Sequence, residues 1–445
     1  MKKNISNYDR MTKTPVARLI VSLGIPTTIS MLVTNIYNMA DTYFVGSLGE
    51  SAQGAMGILF TLQTIIQAIA FMLGHGSGTF VSKELADQNP RRASTYVSTA
   101  FFTGSALGTL LMIFGLIFIE PFVRLLGSTE TILPYAKDYG MWVLIACPFM
   151  VMSFILNNNL RYEGKAVYAM VGLTSGGILN IFLDYVFVKI LNLGVYGAGM
   201  ATAISQVVSF TILIVMFVTK AESKLSLRYI SRDVKVYFSI VKVGLPSLIR
   251  QGLTSISNGI LNNLIKPFGD AAIAAMSIVN RYSSFIMCFA LGIGQGFQPF
   301  AAFNYQTKNY ARVKKGLYFT MLMGLAFVGV LSVVGFVFAD DVVWVFQKAQ
   351  DVIDVGAPAV RYASVGILLS PFFVPISMLF QSTRNAKTAS FLALLRSGLI
   401  LLPVLFVASS IGGLKEIQLS QPISDVLTGL ISLPFLIKFN KDHQS

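Results

Sequence analysis

The chain has 445 residues, 54% apolar and only 12% charged, with a mean hydropathy of +0.68. A soluble protein of this length carries roughly twice that charge fraction, and the apolar positions would fill on the order of twelve membrane-crossing helices of about 20 residues each. The 34 Lys and Arg against 20 acids give a formal charge of +14, which in a soluble domain would point to nucleic acid and here is explained by where the basic residues fall.

Continuous apolar runs such as 101–119 do not alternate, which sets aside an outer-membrane barrel. The N-terminal MKKNISNYDRMTKTPVAR is too polar for a cleavable signal. Apolar runs then predict helices over 17–46, 52–75, 95–119, 134–158, 166–190 and 195–219. A second set follows over 236–266, 271–295, 315–339, 357–381, 386–410 and 417–437. Twelve helices put both termini on one side of the membrane. With that side cytoplasmic, 24 of the 34 basic residues lie in inner segments, starting with Lys2 and Lys3 and including Arg161. Seven lie in outer segments, while Arg250, Arg281 and Arg396 fall inside spans. Retained loops are rich in Lys and Arg and translocated ones are not, so the split supports the span count, the orientation and an anionic inner leaflet as the partner of the basic residues.

The sequence also matches itself. At an offset of 220, Gly24, Pro26, Asn38, Gly49, Gly74, Gly76, Asn89 and Arg92 meet Gly244, Pro246, Asn258, Gly269, Gly294, Gly296, Asn309 and Arg312. At 223, Tyr139, Pro148 and Arg161 meet Tyr362, Pro371 and Arg384. Matches rich in Gly, Pro, Asn and Arg are not chance pairings of aliphatic runs, so the chain reads as a duplicated six-helix unit. Six is even, so the halves enter the bilayer in the same direction and are related by a pseudo-two-fold axis along its normal. The expected fold is thus an all-α membrane protein of two six-helix bundles. The lobes are 1–219 and 236–445, joined by a polar cytoplasmic linker at 220–235.

Ionisable groups within a bilayer are costly and point to function. The candidates are Asp41, Asp184, Arg250, Arg281, Arg396 and Asp425. Asn35, Asn38 and Asp41 share roughly one helix face. Asn180 stands one turn before Asp184, Ala198 one turn before Thr202, and Tyr139 offers a hydroxyl at the start of its span. Such oxygens suit Na⁺, a hard cation. Two acids buried side by side can also hold a proton, because burial and mutual repulsion both penalise the second charge. Asp184 could instead pair with an arginine or cap a broken helix, and Asp41, near the outer end of its span, could be wet. For the second-half Arg250, Arg281, Arg396 and Asp425, mutual pairing is the leading reading and substrate binding or gating the lesser one. In the repeat, Asp41 aligns with Leu261 and Asp184 with Phe406, so ion coupling is expected in the first lobe alone.

GHGSG at 74–78 reads as the end of a span, used for close packing or as a hinge; it lacks the Lys-Ser/Thr of a phosphate loop. His75 reads as a satisfied polar residue at the membrane edge, and His443 as part of a polar tail. Two scattered histidines supply neither metal cluster nor catalytic set, and Cys147 and Cys288 in apolar runs read as small hydrophobes. An enzyme is therefore not expected, nor a channel, since nothing resembles a selectivity filter.

At this point the chain resembles multidrug and toxic compound extrusion (MATE) transporters, over essentially its whole length. The resemblance rests on IPTTISMLVTNIYNMADTYFVGSLG, NLRYEGKA, LNIFLDYVF and GVYGAGMATAIS in their order and spacing. It is closest to bacterial branches with acids in the N-terminal lobe; acids of another branch, in the seventh and tenth spans, are missing here. The resemblance implies an inner-membrane exporter of the MOP superfamily with both termini cytoplasmic. It would expel lipophilic, often cationic compounds by antiport with H⁺ or Na⁺, through alternating access of its lobes. The implied cation site is Asp41, Asn180, Asp184 and Thr202, with a backbone oxygen of Ala198 and with Tyr139 nearby. Tyr37, Asn35, Asn38, Arg250, Arg281 and Asp425 are the further candidates for substrate contact or gating. No cofactor beyond the coupling ion and no nucleic acid is expected, and a monomer is. The alternative is a flippase for lipid-linked saccharides, for which Arg250 and Arg281 would hold a diphosphate.

Overall fold

The computed structural model describes residues 6–443, and every regular element among them is helical. The first half runs α1 (Asn7–Lys13), α2 (Val16–Gly46), α3 (Glu50–Ala86), α4 (Pro90–Ile117), α5 (Ile119–Leu125), α6 (Leu133–Tyr162), α7 (Ala166–Asp184) and α8 (Gly194–Lys220). The second runs α9 (Val234–Ile265), α10 (Asp270–Gln306), α11 (Tyr310–Val337), α12 (Ala339–Phe346), α13 (Gln350–Ile367), α14 (Ser370–Ser382), α15 (Ala386–Leu394), α16 (Leu401–Ile411) and α17 (Leu414–Asp442). Wider π-helical turns, Tyr185–Ile190 and Leu395–Leu399, follow α7 and α15. Lys2 and Lys3, counted with the inner basic group, lie outside the described residues.

The duplication is visible element by element. Helices α3 and α10 are both 37 residues long and α4 and α11 both 28, each pair starting 220 residues apart. Their caps repeat too: Asn89 accepts from Arg92 N at 3.1 Å and Asn309 from Arg312 N at 3.2 Å, satisfying an otherwise orphan donor in each first turn.

Among the described residues, ten helices are long and apolar enough to cross a membrane, and α13 with α14, bent by 46°, makes an eleventh. The twelfth is α9, whose 32 residues are long enough, at about 1.5 Å per residue, to span. Its interior carries Arg250, Gln251, Asn258, Asn262 and Asn263, so it lacks the hydropathy of the rest.

The structure corrects three boundaries. The tenth span, expected unbroken over 357–381, is broken at 368–369, just before Pro371. The second and eighth helices do not stop at their glycines but continue to Ala86 and Gln306. Arg161, placed in an inner loop, is the penultimate residue of α6 and is buried.

Two compact units result. Among the described residues, the first comprises 6–10 and 29–248 and the second 11–28 and 249–443, so the leading turns of α2 belong to unit 2 and those of α9 to unit 1. Glycine explains both attachments. In unit 1 a Cβ on Gly244 would lie 1.8 Å from the Met72 carbonyl oxygen, and one on Gly76 2.1 Å from that of Ile240. In unit 2 a Cβ on Gly296 would stand 2.4 Å from Gly24 Cα. These glycines let helix backbones touch, as small residues do in membrane interfaces. The helix continues through GHGSG, and its glycines pack closely against neighbouring helices.

Candidate cation site

Within unit 1 the acids of α2 and α7 come together with α6 and α8. Glycines set the approach. A Cβ on Gly199 of α8 would sit 3.0 Å from Tyr139 Cα on α6, and one on Gly177 of α7 2.7 Å from Val33 of α2. With side chains that small, the Tyr139 hydroxyl reaches Thr202 Oγ1 at 3.1 Å and donates to Asp41 Oδ2. Asn180 donates to Thr202 Oγ1 at 3.3 Å.

Burial is nearly complete: Asp41 keeps 3% of its surface exposed and Asp184 none. Asn180, Thr202, Tyr139 and Ala198 are buried as well. Asp41 is therefore not wet, despite its place near the end of α2. Tyr139 and Thr202 link Asp41 to Asn180, which stands one turn before Asp184 on α7. Ala198 lies one turn ahead of Thr202 inside the continuous α8.

The informative atoms are those without a partner. Asp41 Oδ1, Asn180 Oδ1 and both oxygens of Asp184 are buried and accept no hydrogen bond from the protein. Leaving a buried acceptor unmet costs roughly 1–3 kcal/mol, more for a charged one, so four in one cluster call for a guest. All four are oxygens, three of them from two different carboxyl groups and one from an amide. That donor set fits a hard monovalent cation or a proton and offers nothing to a soft metal. Asp184 has neither the arginine partner nor the helix-cap role that would have explained it away. It ends α7 where the π-helical turn begins, the kind of local widening that recurs at functional sites.

Of the neighbouring candidates, Tyr37 and Asn180 line a cavity with Thr34, Gln206 and Ser209 that holds about one water-sized guest. Asn35 and Asn38 are half-buried on α2. Sequence reasoning missed Gln63 of α3, whose Nε2 lies 3.3 Å from Tyr139 Oη. A glutamine in an otherwise apolar stretch was the available signal.

In unit 2 the corresponding place is apolar. Leu261 lies in a buried cluster with Leu401 and Leu405. Phe406, expected to face where Asp184 does, is instead 56% exposed, while Leu405 is 1% exposed. The register differs because the π-helical turn Leu395–Leu399 precedes this position, whereas in the first half it follows Asp184; a π-turn inserts one residue. Asp425 is held by Arg396 Nε at 2.7 Å and by Gln421 Nε2 at 2.9 Å. Arg250 and Arg281 are half-buried in α9 and α10.

The histidines are both packed. His75 Nδ1 lies 2.8 Å from Ser247 Oγ, its Nε2 lies 3.2 Å from Arg161, and its ring stacks on Phe71. Burial to 1% places it inside unit 1 as a satisfied polar residue. His443 is no free tail residue, for the rings of Tyr305, Tyr310 and Phe439 surround it at 5.5, 4.5 and 4.4 Å.

Comparison with known proteins agrees with this architecture. "Multidrug export protein MepA" of Staphylococcus saprophyticus is 25% identical over 423 residues, covering 95% of this chain and 93% of the relative. The protein of the same description from Staphylococcus aureus is 26% identical over 424 residues with the same coverage. A solved structure described as the outward-facing conformation of a multidrug resistance MATE family transporter of the MOP superfamily superposes with a TM-score of 0.92. It covers 99% of each chain at 22% identity. The MatE family model matches residues 26–186 and again 246–407, one match per repeat, and with most of its length so matched the chain belongs to the MatE family of multi-pass membrane transporters.

Proposed function

We propose that this chain is a multidrug exporter of a bacterial cytoplasmic membrane, driving lipophilic and cationic compounds outward by antiport with Na⁺ or H⁺. The coupling ion would bind at Asp41, Asn180, Asp184 and Thr202. Four buried oxygens without partners in a cluster with two acids carry this reading. With the ion bound, Asp41 Oδ1 and Asp184 gain the positive charge their burial lacks, while Tyr139 keeps Asp41 Oδ2 occupied. With the ion gone, two like charges would face each other out of water, an expensive state. The cluster therefore favours exchange of one positive guest for another over emptiness, which is what antiport needs. The Met and Phe of the chain suit loosely specified apolar substrates, since soft, adaptable side chains accept many shapes.

The lopsided Lys and Arg distribution supports cytoplasmic termini. A monomer would suffice, because the cluster is complete within one chain. The test is efflux of a fluorescent cationic dye from vesicles under imposed Na⁺ or pH gradients. Asp184→Asn is expected to abolish gradient-driven export while leaving the protein folded. A flippase relying on Arg250 and Arg281 would tolerate that change, so gradient-driven transport by Asp184→Asn sinks the antiport reading.

A further inference from the structure

We propose that Gln63 is a positioning residue for the coupling ion, setting the direction in which Tyr139 donates and thereby how Asp41 is presented. The proposal rests on the cation-antiport reading above. Gln63 lies on α3, half-buried, and touches neither acid through any hydrogen bond the structure records; it acts through the phenol.

Tyr139 Oη has three polar neighbours: Asp41 Oδ2, Thr202 Oγ1 at 3.1 Å and Gln63 Nε2 at 3.3 Å. A phenol carries one hydrogen and can accept others. An ionised carboxylate only accepts, so while a cation occupies the cluster the single hydrogen belongs on Asp41 Oδ2. The remaining capacity of the phenol is then as an acceptor, and the Gln63 amide N–H meets it. Accepting one bond strengthens the bond that the same hydroxyl donates. Gln63 thus stabilises the ionised form of Asp41, the form that holds Na⁺ or receives a proton, without occupying Oδ1, which stays open.

The repeat supplies an independent comparison. At the offset of 220 that aligns Asp41 with Leu261, Gln63 aligns with Ser283, while Tyr139 keeps a tyrosine partner in Tyr362. The amide is present in the lobe with the acid and missing from the lobe without it. Mere helix adhesion, the commonest use of a glutamine within the bilayer, would serve either lobe.

The experiment uses the full chain in proteoliposomes and measures dye export against the concentration of the driving cation. Gln63→Met keeps the volume and removes the donor. With Na⁺ as the driving cation it is expected to raise the half-saturating concentration on the order of two- to tenfold, the span of one neutral hydrogen bond, with the maximal rate preserved; with H⁺, whose binding discharges Asp41, the half-saturating proton concentration should fall by a similar factor. Gln63→Asn, which keeps an amide but shortens its reach, should give the same shift and serves if the methionine variant fails to fold. In a Tyr139→Phe background, Gln63→Met should add nothing, because the acceptor is already gone. Unchanged half-saturation, a fall in maximal rate alone, or effects that multiply in the double variant would each overturn the proposal. Asp184→Asn measured alongside separates the two levels. Gradient-driven export by that variant removes the antiport reading, whereas its loss together with wild-type behaviour of Gln63→Met removes only the role of Gln63.

Discussion

At the scale of single residues, the two halves of the duplication answer the same problem differently. Unit 1 buries Asp41 beside Asp184 with oxygens unmet, whereas unit 2 places Leu261 and Leu405 there and closes the space with hydrocarbon. Where unit 2 does bury an acid, it neutralises it: Asp425 is 3% exposed at its side chain and bonds to Arg396, which keeps 23%. Phe373 lies under the same guanidinium at 5.7 Å. Removing one member of a buried pair strands the other charge, at roughly 3–5 kcal/mol when fully enclosed. Because Arg396 reaches some solvent, Asp425→Asn is expected to cost less, on the order of 2 kcal/mol. The Arg396→Met/Asp425→Leu double variant should recover most of that loss. Thermal unfolding in detergent checks both, and an unaltered melting temperature for the single variant would show that the pair is not holding unit 2.

At the scale of elements, the joints are built from carboxylate and amide contacts beyond the bilayer. After α6, the Glu163 carboxylate accepts from Glu222 N at 2.6 Å, from Ser223 N at 3.2 Å and from the Ser223 hydroxyl, with Lys165 Nζ at 3.5 Å. Its carbonyl takes Asn7 Nδ2, and that of Gly164 takes Arg10, each at 3.0 Å. One turn thus ties α1 and the start of the inter-lobe linker to the end of α6. Burial pushes the Glu163 carboxyl above its ordinary value of 4.5, outweighing these hydrogen bonds and Lys165. A raised value in the folded state means a stabilising contribution complete below 4.5 that is lost as the pH rises through the folded value. The melting temperature of the wild type relative to Glu163→Gln should therefore fall as the pH rises above about 4.5. A difference that stays flat or grows with pH contradicts the assignment.

At the scale of the whole molecule, the proposed antiport through the Asp41–Asp184 cluster fixes how export responds to voltage. One monovalent cation moving inward for one monocationic substrate moving outward transfers no net charge. The membrane potential, worth about 2.3 kcal/mol per charge per 100 mV, then contributes nothing. Export of a monocationic dye at a fixed ion gradient should be indifferent to a potential imposed with valinomycin and K⁺, while export of a neutral substrate should respond. A monocation whose export accelerates with the potential would mean that Asp41 and Asp184 load two ions per cycle.

Sequence alone determined the membrane setting, the duplicated six-helix plan and the residue types of the candidate cation cluster. Twenty-residue apolar runs, the Lys and Arg split and matches such as Gly24 with Gly244 are written along the chain and need no knowledge of what touches what. Tertiary structure decided the rest, because it depends on contacts between residues far apart in the chain. It showed that Asp184 has no arginine, that Arg396 takes Asp425, that Gln63 reaches Tyr139 and that GHGSG packs helices without ending one. It also moved the counterpart of Asp184 from Phe406 to Leu405, since a π-turn shifts side-chain direction by one residue and leaves no mark in hydropathy.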